Sequence, residues 1–347
     1  MSRRPIVYSA RYYSSPRQPK KSSYWHLYRI NPDGTGRVQL TDIHADDQTP
    51  QWSPGGSYIS FLRRRRAFRE TEGATTLCIC DDDGDVRTVY SNTGYFEYRW
   101  LSRSTLLVQE NKNYPNRPQR YFKIDAQTGR RQPATESEWW HTGKTSPDGK
   151  MVFLDNPARL VQIATNRTIL FPAESGGAIW LSNSRLLSLM EKRDADGVVN
   201  DYNFAELGLE GKVLQTWKME LSAAAKAMCE NAIIPFCNLT RIPGRTDSFL
   251  IGSEFGGTST GPWFRFLHVN LATHRAEPWG TALDPSFSPD TRQFVTTYAR
   301  ELVPYGNTGK KLYVQSLRVA SSNAPDRQKE IVSGLVSVES AQWRPDA

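Results

Sequence analysis

Short apolar stretches that alternate with turn sequences dominate the chain. The clearest example ends one stretch at Trp52, turns through Ser53-Pro54-Gly55-Gly56, and returns through Ile59-Ser60-Phe61. Proline sets φ for such a turn, while Asp and Gly accept the remaining turn conformations. The pattern therefore predicts antiparallel β-hairpins.

The hairpin pattern repeats along the whole sequence. Its aromatic or equivalent anchor positions are Trp52, Trp100, Thr145, Trp180, Arg241, Phe287 and Trp343. A third strand follows each hairpin, such as Leu27–Ile30 before Asn31-Pro32-Asp33-Gly34, and a short fourth strand closes the unit. Four strands at a spacing of roughly 36–60 residues are typical of propeller blades. We predict an all-β fold, a β-propeller of seven four-stranded blades with six as the alternative, and a single domain over residues 1–347.

The two chain ends complete one repeat between them. The last copy, Gln342–Ala347, lacks a second strand, and the N-terminal stretch Pro5–Ser9 supplies one. Pairing of these strands would remove an exposed sheet edge that invites aggregation. We therefore expect the propeller to close by pairing of its N- and C-terminal strands.

One segment has helical character instead. Leu221–Glu230 is rich in alanine, which favours helix, and Ser222 is a suitable N-cap. We predict a short helix there, as an addition to a connection between blades.

The best-preserved repeats resemble those of a known family. Leu27–Gly36, Gln39-Leu40-Thr41 and Gln51–Gly56 are similar to the WD-like Leu-Tyr, Asp-Gly, Leu-Thr and Trp-Ser-Pro-Asp-Gly elements of TolB-like β-propellers. The resemblance implies a bacterial, non-enzymatic scaffold that binds a protein or peptide, or a subunit of a larger complex. The TolB propeller has six blades and an additional α/β domain, whereas this sequence predicts seven blades and no such domain.

Composition narrows the class of protein. The 10 Trp, 15 Tyr and 14 Phe residues can bury ample apolar surface, which excludes a disordered chain. No apolar run approaches the ~18 residues of a transmembrane helix, and the +8 formal charge is spread along the sequence without a nucleic-acid-binding motif. No apolar stretch of a signal peptide follows the first arginines. We therefore expect a cytoplasmic protein, or a periplasmic one if a leader has been removed.

The four cysteines point to free thiols. Cys78 and Cys80 lie two apart in an apolar stretch, and no histidine stands at zinc-site spacing from either. A disulfide between Cys229 and Cys237 is the alternative and would require an oxidising compartment.

Long connections on one face of the predicted blades are where we expect function, because binding residues are commonly placed on loops of a rigid scaffold. The first candidate is a basic cluster that would bind an anion or an acidic partner: Arg63, Arg64, Arg65, Arg66 and Arg69. The alternative is a solvated loop in which Arg66 or Arg69 pairs with Glu70 or Glu72. The second candidate is the segment Trp139-Trp140-His141, whose rings could bind a sugar or peptide, unless one tryptophan packs between blades.

Two acidic segments are further candidates. His44, Asp46 and Asp47 place an imidazole beside carboxylates, which suits metal binding or acid–base chemistry, although Asp at this point of a TolB-like repeat is often structural. Asp194 and Asp196 partly match a calcium loop, but Lys192 stands at the first ligand position. We therefore predict no catalytic residue, no cofactor and no metal, with calcium at Asp194 and Asp196 as a weak alternative.

These observations leave two functions open. The first is a non-enzymatic propeller that binds a protein or peptide, with an acidic segment as a natural partner. The alternative is a carbohydrate-active lyase or hydrolase with its site at the mouth of the propeller channel, since oligogalacturonate lyases have a similar type of repeat. Those enzymes use a histidine-rich metal centre, which no group of residues in this sequence matches.

Overall fold

The computed structural model describes residues 4–13, 24–65, 74–110, 118–140, 144–155, 158–170, 175–193, 199–230, 234–258, 261–304, 311–334 and 336–346. Two compact units are present, one formed by Met1–Thr135 with Leu283–Ala347 and the other by Glu136–Ala282. Nearly all regular structure in the described residues is β-strand. The described part of the chain contains no helix long and apolar enough to cross a membrane.

The elements follow one another in the order expected for repeated hairpins. The early strands are β1 (Ile6–Tyr12), β2 (His26–Ile30), β3 (Val38–Gln39), β4 (Asp46–Trp52), β5 (Ile59–Arg64), β6 (Thr75–Cys80), β7 (Val86–Asn92), β8 (Phe96–Trp100), β9 (Thr105–Glu110), β10 (Arg120–Asp125) and β11 (Arg131–Pro133). Helix α1 (Glu136–Trp140) comes next, and then β12 (Lys144–Thr145), β13 (Met151–Asp155), β14 (Ala158–Gln162), β15 (Arg167–Leu170), β16 (Ser175–Ser182), β17 (Arg185–Arg193), β18 (Val199–Gly208), β19 (Val213–Trp217) and β20 (Glu220–Leu221). The chain ends with helix α2 (Ala223–Cys229), β21 (Ile234–Arg241), β22 (Ser248–Thr258), β23 (Gly261–Asn270), β24 (Arg275–Phe287), β25 (Gln293–Pro304), β26 (Lys311–Ser321), β27 (Ala324–Val332) and β28 (Val336–Trp343).

The strands of the described residues form seven four-stranded antiparallel blades of a β-propeller, as predicted. In the first unit the blade orders are β28-β1-β2-β3, β4-β5-β6-β7 and β8 to β11, and the end of β24 begins a fourth blade with β25, β26 and β27. In the second unit they are β12 to β15, β16 to β19, and β21 to β23 with the start of β24. Because β24 pairs first with β23 and later with β25, two blades share one continuous strand.

The predicted closure by the chain ends is confirmed. Strand β1 pairs antiparallel with β28, and Ile6 lies opposite Trp343. Both side chains are buried in one cluster with Tyr8, Val295 and Val338. The C-terminal strand therefore supplies the first strand of the blade that the N-terminus continues.

Serine explains why the Ser-Pro-Asp-Gly turns recur. The Ser146 hydroxyl accepts a hydrogen bond from the amide of Met151 at 3.0 Å and donates to Asp148 Oδ1 at 2.7 Å. Ser288 repeats this arrangement with Gln293 and Asp290. The serine hydrogen bond holds the pKa of each aspartate below its usual value, so these carboxylates act as turn residues.

Local departures from the repeat include both helices and two bulges. The predicted helix near Ala223 is confirmed, and the Ser222 hydroxyl caps it by accepting from the amide of Ala225. Helix α1 was not indicated by the sequence. In β4 and β28 the pairing register shifts by one residue, at Thr49 (φ 53°) and Ser340 (φ 48°). Each bulge lies three residues before an anchor tryptophan, Trp52 or Trp343.

Candidate partner-binding surface

The end of β5 brings part of the predicted basic cluster beside the predicted acidic segment. In the antiparallel pair of β4 and β5, Asp47 lies opposite Arg63 and Asp46 lies opposite Arg64. Residues on facing positions of adjacent strands are close enough for their side chains to interact. Two of the candidate groups therefore form one site within the first unit.

Arg63 and Asp47 form a bidentate ion pair. Arg63 Nε lies 2.7 Å from Asp47 Oδ1, and Nη2 lies 2.9 Å from Oδ2. The Asp47 side chain is fully buried, and that of Arg63 is 13% exposed. Burial alone would lower the pKa of Arg63, but the hydrogen bonds and charge of Asp47 outweigh it and raise that pKa. The guanidinium of Arg63 therefore stays charged and is held in place by the fold.

The backbone of Asp47 is fixed as firmly as its side chain. Its amide donates to the carbonyl of Trp25 at 2.9 Å, and its own carbonyl accepts from the Ser9 hydroxyl at 2.8 Å. The ion pair thus joins β5 and β4 to the first blade. The geometry of Asp47 therefore agrees with a structural role for this aspartate.

Asp46 is engaged on the opposite side of β4. Its Oδ1 accepts from the amide of Trp25 at 3.0 Å and from Arg11 Nη2 at 3.2 Å. The Arg11 guanidinium lies over the Trp25 ring, 5.2 Å from its centre. Asp46 therefore bonds with the first blade, although Arg64 is its neighbour across the strand pair.

Arg64 and Arg65 remain exposed at the end of β5. Neither side chain has a hydrogen bond or ion pair with another described residue, although the backbone of Arg64 pairs with β4 and β6. Guanidinium groups present five donors in a planar fork that matches carboxylates and phosphates. These two side chains can therefore bind an external anionic group without breaking the buried ion pair beneath them.

An aromatic and histidine pair adjoins the residues around Asp46, since Tyr24 precedes Trp25 and His44 lies two residues before Asp46. The rings of Tyr24 and His44 are stacked, with centres 5.4 Å apart and planes at 7°. His26 is 6.5 Å from Tyr24, and its Nδ1 is buried without a hydrogen-bond partner in the described residues. Burial lowers the pKa of His26, against the influence of nearby carboxylates such as Asp47. His26 is therefore neutral near pH 7.

Sequence reasoning missed Arg11, Tyr24, Trp25 and His26 as members of this site. The strand-like stretch around His26 gives no sign of a binding role, yet this residue begins β2 beside the other groups. A usable signal existed, since Arg11 directly follows Ala10, the residue of β1 that pairs with His26, and so lies at the same end of the blade.

The tryptophan candidate has a different environment. Trp139 lies in helix α1 and is 6% exposed, in keeping with the alternative that one of the two tryptophans packs in the interior. The backbone of Trp140 ends the same helix. Candidates that lie outside the described residues are Arg66, Arg69, His141, Asp194 and Asp196.

The described residues bear on the predictions for the cysteines and for a metal site. Cys78, Cys80 and Cys229 are free thiols, so the alternative disulfide from Cys229 is not formed. Burial raises the pKa of Cys80 to about 12, which makes this thiol unreactive at neutral pH. Within the described ranges, no three His, Cys, Asp or Glu side chains form a group that could hold a metal.

Comparison with known proteins supports the fold. No family model and no curated protein matches the chain. Among solved structures, the β-propeller domain of the Trilobed protease from Pyrococcus furiosus is 9% identical with a TM-score of 0.51, and the match covers 96% of both chains. TolB from Acinetobacter baumannii is 15% identical with a TM-score of 0.47, covering 99% of this chain and 67% of that one. At such identities the likeness shows the propeller fold alone.

The Pyrococcus domain has an open velcro topology, whereas β1 and β28 pair in the present chain.

Proposed function

We propose that this protein is a non-enzymatic β-propeller that binds an acidic segment of a partner protein through the basic surface of its first unit. We define the basic surface by Tyr24, His44, Arg64 and Arg65. The observation that carries the proposal is the contrast between neighbouring arginines at the end of β5. Arg63 is held by Asp47, whereas Arg64 and Arg65 are exposed.

The frame beneath the basic surface favours binding over catalysis. Asp47 and Asp46 both use their carboxylates to hold arginines of the chain itself. Neither is thereby available as a general base, and the ion pairs fix the backbone from which Arg64 and Arg65 project. A preordered surface loses less conformational entropy when a partner binds.

The residue types agree with an interface. Arginine, tyrosine and tryptophan are enriched among the residues that dominate binding energy, and Arg64, Arg65 and Tyr24 belong to those types. The +8 formal charge adds a general attraction for acidic partners. Such charges mainly accelerate association and make it sensitive to salt.

The proposal is tested with a fluorescein-labelled glutamate-rich peptide and a lysine-rich peptide of equal length. We expect the glutamate-rich peptide to bind, and the double variant Arg64→Glu/Arg65→Glu to weaken it by about tenfold through lost and reversed charge pairs. The matched control is Arg130→Glu/Arg292→Glu, which makes the same charge change at two exposed turn positions of the same unit. Fluorescence anisotropy at several salt concentrations gives the affinities.

Two results would contradict the assignment. Equal weakening by both double variants would mean that net charge, and no particular surface, attracts the peptide. Unchanged binding after reversal of Arg64 and Arg65 would remove these residues from the interface.

A further inference from the structure

Two further exposed arginines lie on the neighbouring blade of the first unit, formed by β8 to β11. Arg120 begins β10 and Arg131 begins β11. Neither side chain forms a hydrogen bond or ion pair with another described residue. The Arg131 guanidinium lies over the rings of Tyr90 and Phe122, 4.8 Å and 5.7 Å from their centres. Stacking occupies the flat face of a guanidinium and leaves its N–H donors available for an anion.

A row of neighbouring positions connects Arg64 to Arg120. Arg64 pairs with Thr75 across β5 and β6, and Thr75 pairs with Asn92 across β6 and β7. The Asn92 side-chain amide donates to Glu110 Oε1 at 3.3 Å, and Glu110 pairs with Arg120 across β9 and β10. Arg64 and Arg120 therefore lie at the same end of two adjacent blades.

The carboxylate of Glu110 takes part in this contact between the blades. Its Oε1 also accepts from the Tyr90 hydroxyl, and the Asn92 amide donates to the same hydroxyl at 2.7 Å. Burial and the hydrogen bond with Glu110 raise the pKa of Tyr90, so this phenol stays protonated and donates to the carboxylate. The described residues of the blade, 96–110 and 118–133, carry six basic side chains against three acidic ones. The blade therefore keeps a positive charge in spite of Glu110.

The surface between the exposed arginines is polar and uncharged. It contains Thr75, Thr76, Ser91 and Asn92, and the hydroxyls of Thr76 and Ser91 lie 3.4 Å apart. Hydroxyl and amide groups can bond with the main chain of a bound peptide, while guanidinium groups bind its carboxylates. A nucleic acid instead carries a charge at every nucleotide and needs a positive groove along its whole length. Basic groups at two separated positions therefore favour a peptide.

We propose that the acidic segment of the partner is extended and has two acidic groups, the first bound at Arg64 and the second at Arg120 and Arg131. Three strand spacings of about 4.8 Å and one hydrogen bond between side chains separate Arg64 from Arg120 by roughly 15–20 Å. An extended chain covers that distance in about five residues. This site extends the basic surface of the proposed function and rests on it.

The test uses the full chain and two labelled peptides of equal composition. In the spaced peptide five Ser residues separate two Glu-Glu groups, and in the contiguous peptide the four Glu residues are adjacent and the Ser residues flank them. Arg120→Gln/Arg131→Gln should weaken the spaced peptide about threefold or more, through two lost charge pairs, and leave the contiguous peptide unchanged. The matched control, Arg292→Gln/Arg327→Gln, removes two exposed arginines of the same unit and should affect both peptides equally.

Fluorescence anisotropy gives the affinities, and urea denaturation checks that each variant folds. If the double variant does not fold, Arg120→Gln alone decides, and it should still weaken the spaced peptide selectively. Equal weakening of the two peptides would overturn the two-point site, because charge alone would then attract them. An oligothymidylate that displaces the spaced peptide and depends equally on Arg120 would also overturn it, since the occupant would be a nucleic acid.

The experiment separates this site from the proposed function. Unchanged binding of the spaced peptide to the Arg120 variants, with weakened binding to Arg64→Glu/Arg65→Glu, would overturn the two-point site and confine the interface to the end of β5. Binding of both peptides that does not depend on Arg64 and Arg65 would overturn the proposed function itself.

Discussion

Replacement of Gly56 by alanine should destabilise the protein more than the same change at an equivalent turn glycine. Gly56 has a φ of 65°, and a Cβ there would lie 3.0 Å from Arg344 Nε and 3.1 Å from Arg344 Cγ. Arg344 cannot easily withdraw, because its guanidinium lies 5.1 Å from the centre of the Trp52 ring and pairs with Asp82. Alanine would therefore disturb the contact that holds the C-terminal segment against the second blade.

Gly149 provides a matched control. It occupies the same position of a Ser-Pro-Asp-Gly turn, with a φ of 70°, and a Cβ there would meet nothing within 4 Å. Both amides close the same turn hydrogen bond, from Gly56 to Ser53 at 2.8 Å and from Gly149 to Ser146 at 2.9 Å. The two substitutions therefore share the backbone strain and differ in the space around the new methyl group.

The contacts of Gly56 determine how much the free energies of unfolding of the two variants should differ. A left-handed conformation costs an L-residue about 1–2 kcal/mol, partly offset by about 0.4–1 kcal/mol from the less flexible unfolded chain. Both variants carry this term. At Gly56 we add about 0.5–1 kcal/mol for a weakened cation–π contact and up to about 1 kcal/mol for a partly exposed ion pair. The free energy of unfolding should thus fall about 0.5–2 kcal/mol further in Gly56→Ala than in Gly149→Ala.

Chemical denaturation is the suitable assay, with equal m-values as the check that compactness has not changed. In a thermal scan the unfolding entropy of about 0.7 kcal/mol/K for 347 residues makes 1.5 kcal/mol a shift of only about 2 °C, if the chain unfolds as one unit. A double-mutant cycle completes the test, since in an Arg344→Ala background the two glycine variants should become equal. Equal effects of the two glycine variants in the natural background would refute the reasoning.

Two further predictions concern buried ionisable groups. Asp47→Asn should lower the free energy of unfolding by about 3–5 kcal/mol, because it leaves the charge of Arg63 without its counter-ion; Arg63→Met in the same background should restore much of the loss, and a loss below about 1 kcal/mol in urea denaturation would contradict the ion pair. The pKa values of His26 and His268 are lowered by burial, so the unfolded chain takes up protons first: stability should be complete above the ordinary pKa of 6.5 and fall as the pH drops below it. Denaturation midpoints at several pH values should show this slope, and replacing both histidines by glutamine should flatten it.

The sequence predicted the repeated parts of the fold because they depend on local chemistry. Serine, proline, aspartate and glycine specify the turns by themselves, as the Ser146 and Ser288 hydrogen bonds show. The closure by the chain ends could also be predicted, because the incomplete repeat at Trp343 lacks a second strand. Helix α1 could not, because the five residues Glu136–Trp140 are too few to show a helical period, and such short helices depend on tertiary packing, here burial of Trp139.

The candidate site was only half predictable, and the bulge at Thr49 is the reason. Trp52 pairs with Ile59 and Gln51 with Ser60, so counting back from the turn without interruption would place Asp47 opposite Arg64. The extra residue at Thr49 shifts the register by one, and Asp47 meets Arg63 instead. Because threonine rarely adopts a positive φ, the sequence does not indicate a bulge at Thr49.

The register shift at Thr49 decides which arginine pairs with the buried Asp47 and which stays exposed. A slip of one residue exchanges the two faces of a strand, so without the bulge Asp47 would face Arg64 and leave Arg63 unpaired at the strand end. The same shift occurs in β28 at Ser340, where Ser9 pairs with Glu339 and Arg11 with Ser337. The arginines that hold Asp47 and Asp46, Arg63 and Arg11, therefore each lie beyond a bulge in the neighbouring inner strand. The bulges position the ion pairs, and the ion pairs in turn leave Arg64 and Arg65 as the exposed basic residues.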